Sequence, residues 1–335
     1  MDYRSLGRTG VKVSPLCLGC MTFGAKTEPE DAYQIVDRAL DAGINFIDTA
    51  NVYSRGRSEE VTGEALKRNG QRDKVVLATK VHGVMDDEDP NAQGNSRRHI
   101  ITQCEASLKR LQTDYIDLYQ IHRPQPDIPI DETLQALDDL IRKGYVRYIG
   151  TSTYAAWQLV EALGVAKELS LNRFICEQPP YNLLDRRIER ELLPMAQTYG
   201  VATIPWSPLA GGLLTGKYNR DMPPPTGSRY SDVQEGSLQQ KRLTEAAFDV
   251  IEGLEPLVAD KGCSMSQFAL AWCVQQPGVT SPIIGPRTME QFEDNLKALE
   301  VDVSDEDRAK IDQLIAPGQM VSPFYEAAFG PHPYR

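Results

Sequence analysis

The 335-residue sequence predicts an α/β fold, a (β/α)8 barrel in which residues 1–335 form one domain. Eight short apolar runs alternate with longer segments of helical period, the pattern of a parallel sheet with right-handed crossovers. Polar residues recur at the carboxyl ends of those runs, where barrel enzymes assemble their sites. No G-x-G-x-x-G is present, so nothing points to a Rossmann domain, and barrels of this length commonly fold around one core.

The chain opens with MDYRSLGRTGVKVSPLCLG, read as a β-hairpin that turns at GRTG and plugs the bottom of the barrel. Strands follow at residues 16–18, 46–48, 75–80, 116–121, 148–152, 174–178, 202–205 and 281–284, each succeeded by a helix. The first helix lies in TEPEDAYQIVDRALDAG, with Thr27 as N-cap, Pro29 and acids in the first turn, and Gly43 as terminator. The helix in SMSQFALAWCV begins on serines. Three connections exceed plain turns: residues 81–96 after strand 3, residues 206–237 after strand 7, and the tail beyond Ile315. In a barrel both internal loops stand at the carboxyl face, and the aromatic tail FYEAAFGPHPYR is expected to cover it.

Composition excludes several classes. Lys and Arg number 36 against 47 Asp and Glu, a net charge of −11, with no basic run to engage nucleic acid or an anionic membrane. MDYRSLGRTG lacks the organisation of a signal peptide, and no apolar stretch nears the roughly 20 residues of a membrane span, so a cytoplasmic protein with a small-molecule partner is expected. Cys17, Cys20, Cys104, Cys176, Cys263 and Cys273 are scattered through apolar segments, as reduced core residues are. CLGC has C-x-x-C spacing but neither a second pair nor a nearby His, and no metal is expected.

NFIDTANVYSRG turns from an apolar run to polar residues at Asp48, with Tyr53 five positions on. Lys80 closes VVLATK, His122 closes DYIDLYQIH, and Ser152 and Gln178 end the fifth and sixth strands. Taken singly, each has an ordinary explanation: a turn-closing Asp, a snorkelling Lys, a satisfied His, a capping Gln. On successive strands of one barrel they converge on one mouth.

GINFIDTANVY, VVLATK and DYIDLYQIH resemble signature segments of the aldo-keto reductase superfamily, and with GTSTY, EQPPYNLL and WSPLAGGLLTGKY the resemblance runs over nearly the whole chain. It implies a catalytic tetrad of Asp48, Tyr53, Lys80 and His122. The short amino-terminal segment and long seventh loop resemble the bacterial branch holding sugar ketoreductases and broad aldehyde reductases, so the implied reaction is reduction of an aldehyde, ketone or sugar carbonyl. Hydride goes to carbon and a proton to oxygen, and a phenol is a sluggish acid at neutral pH. An ammonium about 4 Å away would favour the phenolate by about 4 kcal/mol at an effective dielectric of 20. Lys80 would supply it, Asp48 would hold it while cancelling part of its field, and His122 would orient the carbonyl.

The resemblance assigns the nicotinamide carboxamide to Ser152 and Gln178, with Thr153 where the family commonly has Asn. Trp206 is the stacking face, and Ser207, Leu209, Gly211 and Lys217 wrap the pyrophosphate. Gly285, Pro286 and Arg287 stand at the start of the last helix, where free N–H groups and the dipole suit a phosphate. Arg287 is then the candidate for the adenosine 2′-phosphate, with Gln291 and Asn295 near the adenine. NADPH is the expected cofactor and NADH a possible one. Met21, Phe23, Arg123 and Tyr230 are pocket candidates by position.

Two rivals remain. Gly211 to Lys217 satisfies G-x-x-x-x-G-K of a phosphate-binding loop, but Tyr218 replaces the Ser or Thr needed for Mg²⁺. Some members of the superfamily are regulatory subunits of potassium channels, which the intact tetrad and the lack of an extended amino-terminal arm make the less favoured reading.

Overall fold

The computed structural model describes residues 1–231 and 233–325. Strands β1 (Arg4–Ser5) and β2 (Lys12–Val13) form the antiparallel hairpin. The sheet follows as β3 (Cys17–Gly19), β4 (Phe46–Asp48), β5 (Val76–Val81), β6 (Ile116–Ile121), β7 (Val146–Ser152), β8 (Phe174–Gln178), β9 (Ala202–Thr203) and β10 (Ile283–Ile284). All neighbours pair in parallel in the order β10-β3-β4-β5-β6-β7-β8-β9. Backbone bonds from Thr280 to Thr203 (2.8 Å) and from Ile283 to Pro205 (2.8 Å) join the two ends, so the sheet curls into a (β/α)8 barrel.

Helices alternate with these strands as α1 (Pro29–Asp41), α2 (Arg57–Asn69), α3 (Arg97–Arg110), α4 (Ile130–Arg142), α5 (Ala156–Glu168) and α6 (Leu192–Tyr199). Then come α7 (Leu238–Arg242), α8 (Glu245–Lys261), α9 (Met265–Val274), α10 (Met289–Leu296) and α11 (Asp305–Leu314). Helix α10 packs on both α1 and α9, completing the outer ring. Strands buried on both faces need continuous apolar runs, which is why eight such runs are visible in the sequence.

Leu6 and Val13 of the hairpin join Cys17, Phe46, Ala78, Leu118 and Cys176 in one buried cluster, so the hairpin does plug the barrel. Gly7 permits this: its φ is +60°, and a Cβ there would stand 2.6 Å from the Ile175 carbonyl.

Some boundaries differ from expectation. The N-cap of α1 is Glu28, and Thr27 does not cap it. The Thr27 hydroxyl instead lies 3.0 Å from that of Thr22 and donates to the Arg287 carbonyl (3.3 Å). Ser264 does cap α9, in a reciprocal box with Gln267. Strands β9 and β10 are only two residues long, because Pro205 and Pro282 have no N–H to extend the ladder.

Past α11 the chain turns back to the mouth: Val321 N–H donates to Leu184 (2.9 Å), and Phe324 and Tyr325 N–H donate to Asp185 Oδ2 (2.8 and 3.1 Å). The rest of the tail, residues 326–335, lies outside the described residues. Among the described residues no helix is long and apolar enough to cross a membrane. All six cysteines are free, and five are buried.

Candidate active site

Strands β4, β5, β6 and β8 each turn one polar side chain into the upper barrel. Asp48 ends β4, Lys80 is on β5, Gln120 on β6 and Gln178 ends β8; all four are buried. The Lys80 ammonium donates to Asp48 Oδ1, to the Thr49 carbonyl (2.7 Å) and to the Tyr53 hydroxyl (3.3 Å). Asp48 Oδ2 accepts from the amides of Gln120 and Gln178, both at 3.0 Å. A buried carboxylate and a buried ammonium are thus paired and otherwise saturated with hydrogen bonds, the condition under which both charges persist. Burial works to lower the Lys80 pKa, but the charges of Asp48 and Tyr53 and their hydrogen bonds outweigh it, and the net shift is upward.

Tyr53 begins a short 3-10 turn, Tyr53–Gly56, in which Ser54 and Arg55 take φ of +50° and +51°. This tight turn carries the half-buried phenol from the end of β4 to Lys80. His122 follows β6, its N–H bonded to the Val81 carbonyl (2.8 Å). Its ring meets Tyr53 edge to face, with centroids 5.6 Å apart. Burial, then the charges of Arg123, Lys80 and His82, push the His122 pKa well below the usual histidine range. Its imidazole is therefore neutral near pH 7, able to donate a hydrogen bond without carrying charge.

The residues assigned to a nicotinamide gather at the same mouth. Ser152 Oγ donates to the Gln178 carbonyl (2.9 Å), and Thr153 N–H donates to the same oxygen (3.1 Å). Thr153 has φ of +63°, a conformation that Asn tolerates and a β-branched side chain resists. Trp206 is half-buried, and its ring meets that of Phe324 edge to face with centroids 6.5 Å apart. Arg123 Nη1 donates to the His122 carbonyl (2.6 Å), Thr153 Oγ1 (3.1 Å) and Ser152 Oγ (3.4 Å), and the guanidinium carbon lies 6.0 Å from the Trp206 ring centroid.

Beyond Trp206, positive φ recurs at Ser207, Ala210, Gly211 and Gly212, folding the segment into a tight coil that carries Leu209. Asn182 Nδ2 holds the Ser207 carbonyl (3.1 Å), and Lys217 projects at the exposed end. The G-x-x-x-x-G-K stretch is a kinked 3-10 segment, Ala210–Thr215, with none of the strand-to-helix geometry of a phosphate-binding loop.

Gly285 and Pro286 lead from β10 to Arg287, whose N–H donates to Gln291 Oε1 (2.9 Å) while Thr288 caps α10. Asn295 is buried on the same helix. Among the described residues the Arg287 guanidinium has no acidic partner within salt-bridge distance. Arg287 and Lys217 are two cations among the residues that the sequence assigns to a cofactor, donors of the kind that suit phosphates.

Two pocket candidates are corrected. Phe23 and Tyr230 are fully enclosed; Tyr230 supports the glycine coil, donating to the Ala210 carbonyl (3.3 Å). Met21 is exposed and Arg123 is at the mouth. A cavity of about 580 Å³ opens beside Arg123 between residues 82–96 and 123–128, with His82, Asn91, Gln93 and Gln125 among its lining. Gln120, Glu177 and the Thr49 carbonyl were not foreseen. A lone Gln inside the apolar run DYIDLYQIH, two residues before His122 and so on the same strand face, was the available signal for Gln120.

The sequence model of the Aldo/keto reductase family matches residues 15–316. The chain is 42% identical over 314 residues to an uncharacterized oxidoreductase, YrpG, of Bacillus subtilis, covering 91% of this chain and 93% of that one. A probable voltage-gated potassium channel subunit beta of Arabidopsis thaliana is 40% identical over 304 residues, covering 90% and 92%. A putative subunit of the same type from Schizosaccharomyces pombe is 39% identical over 323 residues, covering 94% and 93%.

Proposed function

The chain belongs to the aldo/keto reductase family of oxidoreductases, and from that premise we propose that it reduces aldehydes or ketones, sugar carbonyls among them, to alcohols with NADPH. One observation carries this reading: the Lys80 ammonium, held by Asp48, stands 3.3 Å from the Tyr53 hydroxyl. Tyr53 gives its proton to the carbonyl oxygen, and the phenolate left behind lies against a fixed cation. His122, neutral, donates a hydrogen bond to the same oxygen and orients it.

A reduced nicotinamide, when bound, supplies the hydride. Ser152, Thr153 and Gln178 would hold its carboxamide; the Gln178 amide nitrogen is already engaged with Asp48 and Gln120, so Gln178 contributes its carbonyl oxygen. Trp206 provides the stacking face. Ser207, Leu209, Gly211 and Lys217 take the pyrophosphate, and Gly285, Pro286, Arg287, Gln291 and Asn295 the adenosine end. The open Arg287 guanidinium supports NADPH over NADH.

A second reading is favoured by the relatives described as potassium channel subunits: a regulatory protein that binds the cofactor and turns over little. Mixing the protein with NADPH and a panel of aldehydes, keto sugars and simple ketones, and following oxidation of the cofactor, separates the two. Steady turnover of any panel member supports the enzyme. Tight cofactor binding with no turnover across the panel would favour the regulatory role.

A further inference from the structure

We infer that Gln120 is a positioning residue for the reduction proposed above, on which this rests: its amide fixes both the Asp48 carboxylate that holds Lys80 and the Gln178 amide assigned to the nicotinamide. Gln120 is fully buried on β6, between Lys80 on β5 and Gly150 on β7 in the strand register. Gly150 makes room for it: a Cβ there would stand 3.0 Å from the Cys176 carbonyl and 3.3 Å from Gln120 Cγ. A buried amide is costly unless its polar ends are bonded. Gln120 Nε2 donates to Asp48 Oδ2 (3.0 Å), and its Oε1 accepts from Gln178 Nε2 (3.2 Å).

A carboxylate only accepts hydrogen bonds, so each amide must point an N–H at Asp48. Gln178 Nε2 also donates to Asp48 Oδ2, at 3.0 Å, so one oxygen takes both amides while Oδ1 takes the Lys80 ammonium. The Gln120 carbonyl accepts the second hydrogen of Gln178 Nε2, which turns Gln178 Oε1 away from Asp48, the sense that the NH2 of a carboxamide needs. Donation to Asp48 also draws on its charge, so that it cancels less of the Lys80 field at Tyr53, whose hydroxyl is 3.3 Å from the ammonium. The charged groups of this layer are Asp48 and Lys80 themselves. Burial pushes the nearby Cys17 and Cys176 thiols well above their usual range, and His122 is held neutral. One amide outside the tetrad thus ties the acid pair and the cofactor residue to a single carboxylate.

Single-turnover hydride transfer from NADPH to an aldehyde that the wild type reduces, read across pH for Gln120→Met and Gln120→Glu beside their NADPH affinities, tests this. Gln120→Met keeps the bulk and loses both bonds. Its rate should fall about ten- to a hundredfold, the size of a lost hydrogen bond to a charged group, with NADPH affinity held within about threefold. In Gln120→Glu the protonated carboxyl can donate to Asp48 and accept from Gln178, whereas the ionised one sets a second anion against Asp48. Its rate relative to the wild type should be near one at about pH 5 and fall by about tenfold or more toward about pH 9, an added limb that a mere filler of the barrel would not produce. A wild-type rate in Gln120→Met, or loss of rate and of NADPH affinity by the same factor, overturns the inference. So does a Gln120→Glu ratio that is constant with pH, which decides the matter if Gln120→Met does not fold. A wild type that turns over no carbonyl would instead remove the reductase reading, and this inference with it.

Discussion

The Lys80 ammonium and the Tyr53 phenol oxygen are 3.3 Å apart, and the ammonium is anchored from behind by Asp48. A phenolate left at Tyr53 by proton transfer would stand directly against this cation, whose field Asp48 partly cancels.

Lys80→Met should therefore slow hydride transfer more than Asp48→Asn does. It also leaves the Asp48 carboxylate buried with only two amide donors, and breaking such a pair costs about 3 to 5 kcal/mol of stability. Asparagine at position 48 keeps an acceptor for the ammonium. Single-turnover rates and urea midpoints of both variants check the order, and a more damaging Asp48→Asn would contradict it.

Glu177 gives a pH signature. Its carboxyl accepts from Thr151 Oγ1 (2.5 Å) and Tyr154 N–H (3.0 Å), and burial raises its pKa from 4.5 to about 8. Between those values the folded protein keeps a proton that the unfolded chain has released, so this residue lowers stability as pH rises through that window. Glu177→Gln removes the effect. The variant should gain on the wild type by on the order of 1 to 3 kcal/mol between pH 5 and pH 8 in urea unfolding, and a constant difference would show that Glu177 stays ionised.

Much of this was legible in the sequence, for physical reasons. A parallel sheet covered on both faces forces apolar runs, and the polar residues ending them, Asp48, Lys80 and His122, stand out against that background. Gln120 was hidden because one polar residue inside such a run looks tolerated rather than used. The seat of Arg123 depends on the path of a long side chain, and the return of the tail depends on Asp185 meeting Phe324 across 139 positions. Neither leaves a local pattern. The ends of β9 and β10 were overestimated because an apolar run continues through Pro205 and Pro282 while the hydrogen-bond ladder cannot.

The proposed preference for NADPH rests on Arg287. A 2′-phosphate there would gain a charge-assisted hydrogen bond of about 1.5 to 3 kcal/mol, roughly tenfold to somewhat over a hundredfold in affinity. Arg287→Ala should weaken NADPH by that factor and leave NADH nearly unchanged. Equal losses in equilibrium titrations would mean that Arg287 supports its loop and does not read the phosphate.

The hairpin plug is tested at Gly7. Gly7→Ala forces a Cβ to 2.6 Å from the Ile175 carbonyl at a φ of +60°, and should cost more than about 1 kcal/mol. Gly10→Ala, with no atom within 4 Å of its new Cβ, serves as the control and should be close to neutral. A smaller loss at Gly7 than at Gly10 would remove the close approach from the account.

The assignment of Tyr53 as proton donor is tested by Tyr53→Phe, preloaded with NADPH and mixed with an aldehyde that the wild type reduces, with hydride transfer followed in a single turnover. Ring packing against His122 is retained, so the variant should fold and bind NADPH as the wild type does. The rate should fall by 10²- to 10⁴-fold, the usual contribution of a positioned general acid. A variant that binds NADPH normally and keeps more than about a tenth of the wild-type rate would place the proton donor elsewhere.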